Sequence, residues 1–188
     1  MMKGRVVKMK KTIFAVMVVS VLLGAPAIAK NIPGLTVAPT LTDASWSGDE
    51  STLDLIFSRV AGAVKYSVSI SGLATYVDAN GDPNSMEIEI DITVPDVADN
   101  DPNIIVSISA EDILAEITEE LADLGVAMPL QRGLLLSGNT DDEDPDNDSV
   151  MVKVKGLNPG KPDSKRQNNP FSESLAIGNR LWTFVSPN

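Results

Sequence analysis

From residue 86 to residue 94 the chain alternates without a break: Met86, Ile88, Ile90, Ile92 and Val94 on one side, Glu87, Glu89, Asp91 and Thr93 on the other. A helix would spread these acids around its circumference. A strand points successive side chains to opposite faces, so it gathers every apolar residue on one face and every polar residue on the other. The segment therefore predicts a strand in an antiparallel sheet, with one face on a core and the other in water. Pro95 ends it, because proline cannot donate to the ladder.

The same period recurs along the chain. Leu53, Leu55 and Phe57 alternate within 51–60. Val64, Tyr66, Val68 and Ile70 alternate with Lys65, Ser67, Ser69 and Ser71, and Val150, Val152 and Val154 alternate with Met151, Lys153 and Lys155. Shorter strands are expected at 104–108 and 174–177, and an edge strand at 30–42 through Leu35, Val37 and Leu41, bracketed by Pro33 and Pro39. Residues 134–136 are a brief apolar run, and 181–185 read as either another edge strand or a docking tail. Ala61-Gly62-Ala63 is short enough to join its two neighbouring strands as an antiparallel hairpin, and 78–84 is a turn by composition.

Residues 111–124 break the β pattern. Ile113, Leu114, Ile117, Leu121 and Leu124 recur at helical spacing, Ser109 with Asp112 forms an N-cap arrangement, and Gly125 stands where a helix stop belongs. One inserted amphipathic helix is expected, its apolar stripe covering an end or edge of the sheets.

Residues 1–29 carry the pattern of an export signal. Lys3, Arg5, Lys8, Lys10 and Lys11 form a basic head, 12–24 is apolar, and Ala27 and Ala29 supply the small residues a signal peptidase reads. The apolar run is shorter than the ~20 residues a bilayer span needs. Cleavage after Ala29 is expected, with a secreted, periplasmic or cell-surface destination and no membrane span afterwards; an uncleaved anchor is the other reading. The remaining 30–188 would be one domain, large enough to bury a core. Five of the 15 basic residues lie in the leader, so the rest carries ten against 26 acids, a net charge of −16. Such a surface repels nucleic acid, whose binding rests on Lys and Arg.

The chain has no Cys and no His. That excludes disulfides, zinc sites built on those residues, and His-based acid–base chemistry. Oxygen ligands remain, and they suit calcium or magnesium. Three acidic stretches could supply them: Asp78, Asn80 and Asp82, with Asn84 beyond; Asp96, Asp99, Asn100 and Asp101; and Asp142, Asp144, Asp146 and Asp148 within 141–148. Calcium takes roughly six to eight oxygens, which alternate Asp and Asn in a loop can offer. None of the three follows the EF-hand pattern, and a solvated acidic loop is the competing reading.

Trp46 stands in a Ser-Gly-Asp context, either as an exposed platform for a sugar ring or as a plug for the end of the sheets; Trp182 poses the same choice. Ser164 and Lys165 are adjacent, but Arg166 beside them marks a solvated loop rather than a nucleophilic dyad. Lys161, Lys165 and Arg166 could meet the acids of 141–148 on a second copy, a route to self-assembly.

Several stretches resemble a fibronectin type III domain: "PGLTVAPTL" at 33–41, "STLDLIFSRVAGAVKYSVSISG" at 51–72, "VMVKVKGLNPG" at 150–160 and "QNNPFSESL" at 167–175. In the middle motif, Ala63 and Tyr66 stand at the family's places. The family's second-strand tryptophan is Phe57 here, and the penultimate strand has Met151 or Val152 in place of its tyrosine. The resemblance implies an immunoglobulin-like antiparallel β-sandwich, here with a helix insertion at about 110–124. It also implies a non-catalytic binding or structural module acting on protein or cell-surface partners. A calcium-stabilised carbohydrate-binding module is the alternative, and a small carboxylate-based hydrolase is a third reading.

Overall fold

The computed structural model describes residues 34–96, 101–128, 130–138, 149–159 and 168–184. The expected export signal at 1–29 and the stretches 97–100, 139–148 and 160–167 lie outside these, and with them Asp99, Asn100, Asp142, Asp144, Asp146, Asp148, Lys161, Lys165 and Arg166.

The described chain is mainly β. Its elements, in order, are β1 (Leu41–Trp46), β2 (Thr52–Ser58), β3 (Lys65–Val77), β4 (Pro83–Pro95), β5 (Asn103–Ser109), α1 (Ala110–Asp123), β6 (Gln131–Ser137), β7 (Val150–Leu157), β8 (Leu175–Ile177) and β9 (Arg180–Thr183). One antiparallel sheet has the order β1-β2-β5, and the second is built on β3. Along one edge, β3 pairs over its whole length with β4. Its other edge is shared: Lys65–Ser71 pair with β7, and residues 73–77 with β6. β6 and β7 therefore lie end to end along β3. β9 and β8 repeat this one line further out, on β6 and β7 respectively.

Gly72 stands opposite the junction of β6 and β7. A Cβ there would lie 2.7 Å from the carbonyl oxygen of Ser137 and 3.2 Å from Leu136. The close approach requires glycine, and it lets the chain leave the sheet after Ser137 and rejoin it at Val150.

The two sheets close over one core. Leu53, Leu55 and Phe57 of β2 face Tyr66, Val68 and Ile70 of β3, all buried. The Phe57 and Tyr66 rings lie 4.9 Å apart, and the Tyr66 hydroxyl accepts the backbone N–H of Val60 at 2.9 Å. This corrects the expected hairpin: β2 pairs with β1 and β5, while β3 belongs to the other sheet. Two strands that each offer a full apolar face bury more by stacking those faces than by pairing side by side. The turn through Gly62, at φ +87, carries the chain across.

The first strand also differs from expectation. It runs from Leu41 to Trp46, overlapping the expected 30–42 only at its end, because Pro39 has no N–H to give a ladder. Leu35 still packs on the core, and its N–H goes to the Asn169 side chain at 3.1 Å. Asn169 in turn donates to the Gly156 carbonyl at 2.8 Å and to the Asn158 side chain at 2.7 Å, tying three segments together. Val37, expected to face inward, is exposed.

α1 forms as expected. Ser109 caps it by accepting from the Glu111 N–H at 3.1 Å, and Gly125 at φ +91 ends it. Ile113, Ile117 and Leu121 are fully buried, and the helix packs on β4 and β5, so it covers the gap between the two sheets along one side. Leu114 is only half-buried and Leu124 is exposed, which narrows the predicted stripe. The segment expected at 181–185 is an edge strand, β9, fastened by the Trp182 indole donating to the Ala110 carbonyl at 3.1 Å.

Candidate functional site

The outer face of the second sheet carries a built polar surface. In β3 every second residue, Ser67, Ser69 and Ser71, points away from the core, paired with Thr93, Asp91 and Glu89 on one flank and with Lys155, Lys153 and Met151 on the other. Short serines between two rows of long side chains leave a furrow along the middle strand. Ser67 and Ser69 were expected to face water. They do point outward, yet they are 0% and 1% exposed, because the flanking side chains close over them.

The charges are arranged across this furrow rather than scattered. The Glu89 carboxylate accepts from the Ser69 hydroxyl and the Lys153 ammonium, both at 2.8 Å. These contacts hold the Glu89 pKa below the usual carboxylate range, the lysine hydrogen bond contributing most and the serine next. Ser67 reaches toward Asp91 at 3.4 Å. Phe171 pairs with Lys155 through an isolated bridge, and its ring receives the ammoniums of Lys155 at 4.4 Å and Lys153 at 4.8 Å. Lys155 is only 4% exposed, so its stem packs on the face while the ring's negative quadrupole faces its charge.

Two shallow concavities share Glu89. One, of about 300 Å³, is lined by Ser71, Gly72, Glu87, Ile88, Glu89, Ser149 and Met151. The other, of about 280 Å³, is lined by Glu89, Asp91, Lys155 and Phe171. The face thus offers carboxylates on one side, ammoniums and an aromatic edge on the other, and hydroxyls between. Such an arrangement suits recognition of a polar surface with complementary charge.

In the turn at 78–84, the first of the stretches considered for calcium, Asp78 makes hydrogen bonds of its own. Asp78 accepts the N–H groups of Asn80 at 2.9 Å and Asp82 at 3.0 Å on one carboxylate oxygen, which lowers its pKa, the Asp82 bond first. It closes the β3–β4 turn, with Gly81 at φ +93, while Asn80 and Asp82 are exposed. In the second stretch, Asp96 pairs with Arg59, and Asp101 accepts from the Asn103 N–H at 2.9 Å. Among the described residues no three acidic side chains converge as a metal cage.

Trp46 ends β1 rather than standing in a loop, and it is half-buried. Its indole donates to the Gly178 carbonyl at 2.8 Å, and its ring meets Trp182 edge-on at 6.2 Å. Arg180 lies against both, 5.9 Å from Trp46 and 5.4 Å from Trp182, and bonds Glu50 at 2.6 Å. This cluster ties β1 to the corner between β8 and β9. It holds the sheets together and does not present a flat sugar platform.

Sequence reasoning missed Phe171 and the joint role of Glu89, Lys153 and Lys155. The outward alternation on each strand was visible, but only the pairing of β3 with both β4 and β7 sets the two charged rows beside one serine row. No family model matches the chain, and neither a curated protein nor a solved structure shows significant similarity to it.

Proposed function

We propose that this chain is an exported, non-catalytic binding module of fibronectin type III-like build, and that it recognises a protein or cell-surface partner through the outer face of β4-β3-β7. The observation that carries the reading is the Glu89–Ser69–Lys153 network beside Phe171, an ordered and partly desolvated charge pattern on an otherwise solvent-facing sheet. Long charged side chains on an ordinary strand face lose rotamer freedom when ordered in this way. A surface preset in its bound geometry loses less on association.

Strand order supports the family reading. The described strands run β1-β2-β5 in one sheet and, in the other, β4-β3 followed by the β6/β7 line as a sixth position and the β9/β8 line as a seventh. Immunoglobulin-like sandwiches likewise pair the first two strands with the fifth, and the third with the last two.

The test is sedimentation of the exported chain with envelopes of the cells that produce it, comparing wild type with Glu89→Lys and Phe171→Ala. The reading expects wild type to bind and both variants to bind weakly with an unchanged fold by circular dichroism. Equal binding by all three would contradict the assignment of this face.

A further inference from the structure

The tip of the β3–β4 hairpin carries chemistry that the binding face does not use. Asn80 and Gly81 are both exposed there, and they form the one Asn-Gly pair in the sequence. Gly81 has φ +93, and a Cβ built on it would meet nothing within 4 Å, so no neighbour crowds its amide nitrogen from that side. An asparagine side chain followed by an uncrowded glycine nitrogen is set up for an internal displacement.

We propose that Asn80 is a site of spontaneous covalent modification and that Asp78 controls its rate. In the first step the Gly81 nitrogen, having lost its proton to solvent, attacks the side-chain carbonyl carbon of Asn80. A carbon–nitrogen bond forms, the side-chain amide bond breaks, and ammonia leaves with a proton from water, closing a five-membered succinimide. Water then opens the ring at one of its two carbonyls and gives either aspartate or isoaspartate. No other reactant is required.

Asp78 opposes this step at three points. Its carbonyl accepts the Gly81 N–H at 3.0 Å, which ties up the proton that must leave. Its carboxylate accepts the N–H groups of Asn80 at 2.9 Å and Asp82 at 3.0 Å, pinning the backbone on both sides of the ring to be closed. Ring closure requires the Gly81 nitrogen to be released and turned toward the Asn80 side chain, so it runs through an opened turn. The product sets a new negative charge between Asp78 and Asp82. Isoaspartate also lengthens the main chain in the turn that fixes the register of β3 on β4.

The experiment ages the full chain in mildly alkaline buffer and follows Asn80 by liquid chromatography of its peptides coupled to mass spectrometry, in which mass separates amide, succinimide and hydrolysed product and retention separates aspartate from isoaspartate. Asn84, in β4, is the internal reference. Asn80 is expected to convert several-fold faster than Asn84, with isoaspartate among the products. Asp78→Ala is expected to speed Asn80 several-fold further while the protein stays folded by circular dichroism, and Asp78→Asn, which keeps an acceptor oxygen, to fall between. If Asp78→Ala does not fold, wild type against Asp78→Asn carries the comparison. Conversion of Asn80 no faster than Asn84 would overturn the site, and equal rates with and without the Asp78 carboxylate would overturn its control.

Discussion

Gly72 matters because of what it leaves out. A methyl group at this position would sit 2.7 Å from the Ser137 carbonyl oxygen, and that oxygen belongs to backbone, so it cannot swing aside. Gly72→Ala should therefore destabilise the fold by about 1–3 kcal/mol, the usual cost of overpacking, as a lower midpoint in urea with an unchanged slope. Asp49 gives a second prediction at this scale. It accepts from the Ser51 hydroxyl and N–H and from the Ser47 hydroxyl, and these bonds lower its pKa from the ordinary 3.8 to about 2. A depressed folded pKa adds stability that is present above the unfolded value and is lost as pH falls through the folded one. Asp49→Asn should therefore flatten the pH dependence of the thermal midpoint between about 4 and 2 and leave the slope near neutrality unchanged. Neither role was legible beforehand. A glycine in an alternating run carries no mark of the Ser137 backbone it will meet, because that backbone arrives from a distant part of the chain; the partners of Asp49 are local, but serines beside an aspartate do not by themselves specify the turn that aims them at it.

At the scale of elements, the sequence was a good guide to which face each strand buries and a poor guide to its neighbours. The alternation of Ile88, Ile90 and Val94, and of Val150, Val152 and Val154, foretold their burial correctly. The link between β2 and β3 was misjudged because the period of a strand specifies its apolar face but not whether that face stacks on the next strand or lies beside it. α1 was legible from cap to stop because its signals are local. Its apolar side is sealed, so Ile117→Ala, at a position with no exposure, should cost about 2–5 kcal/mol in urea unfolding. Its last turn carries Asp123 and no basic residue, opposing the helix dipole. Asp123→Lys should raise stability by about 0.3–1 kcal/mol at low ionic strength, and added salt should erase the gain.

At the scale of the whole molecule, the chain is strongly acidic, with a net charge of −11 over its full sequence. The described helix adds to this, with Glu111, Asp112, Glu116, Glu119, Glu120 and Asp123 on one element. Against that background Lys153 and Lys155 give the outer face of β4-β3-β7 a charge pattern of its own, and Phe171 gives it a fixed aromatic edge. The half-buried strands followed from patterning, and two sheets over a shared core were what the fibronectin type III resemblance implied. The face itself did not, because it is assembled from β3, β4, β7 and residue 171, four stretches that only the fold brings together. The most direct test of its role is a lysine footprint. The chain is labelled with an amine-reactive reagent, free and bound to envelopes of its producing cells, and each lysine is read by mass spectrometry. Strong protection of Lys153 on binding is the result predicted here; Lys153 labelled equally in the free and bound protein would contradict it.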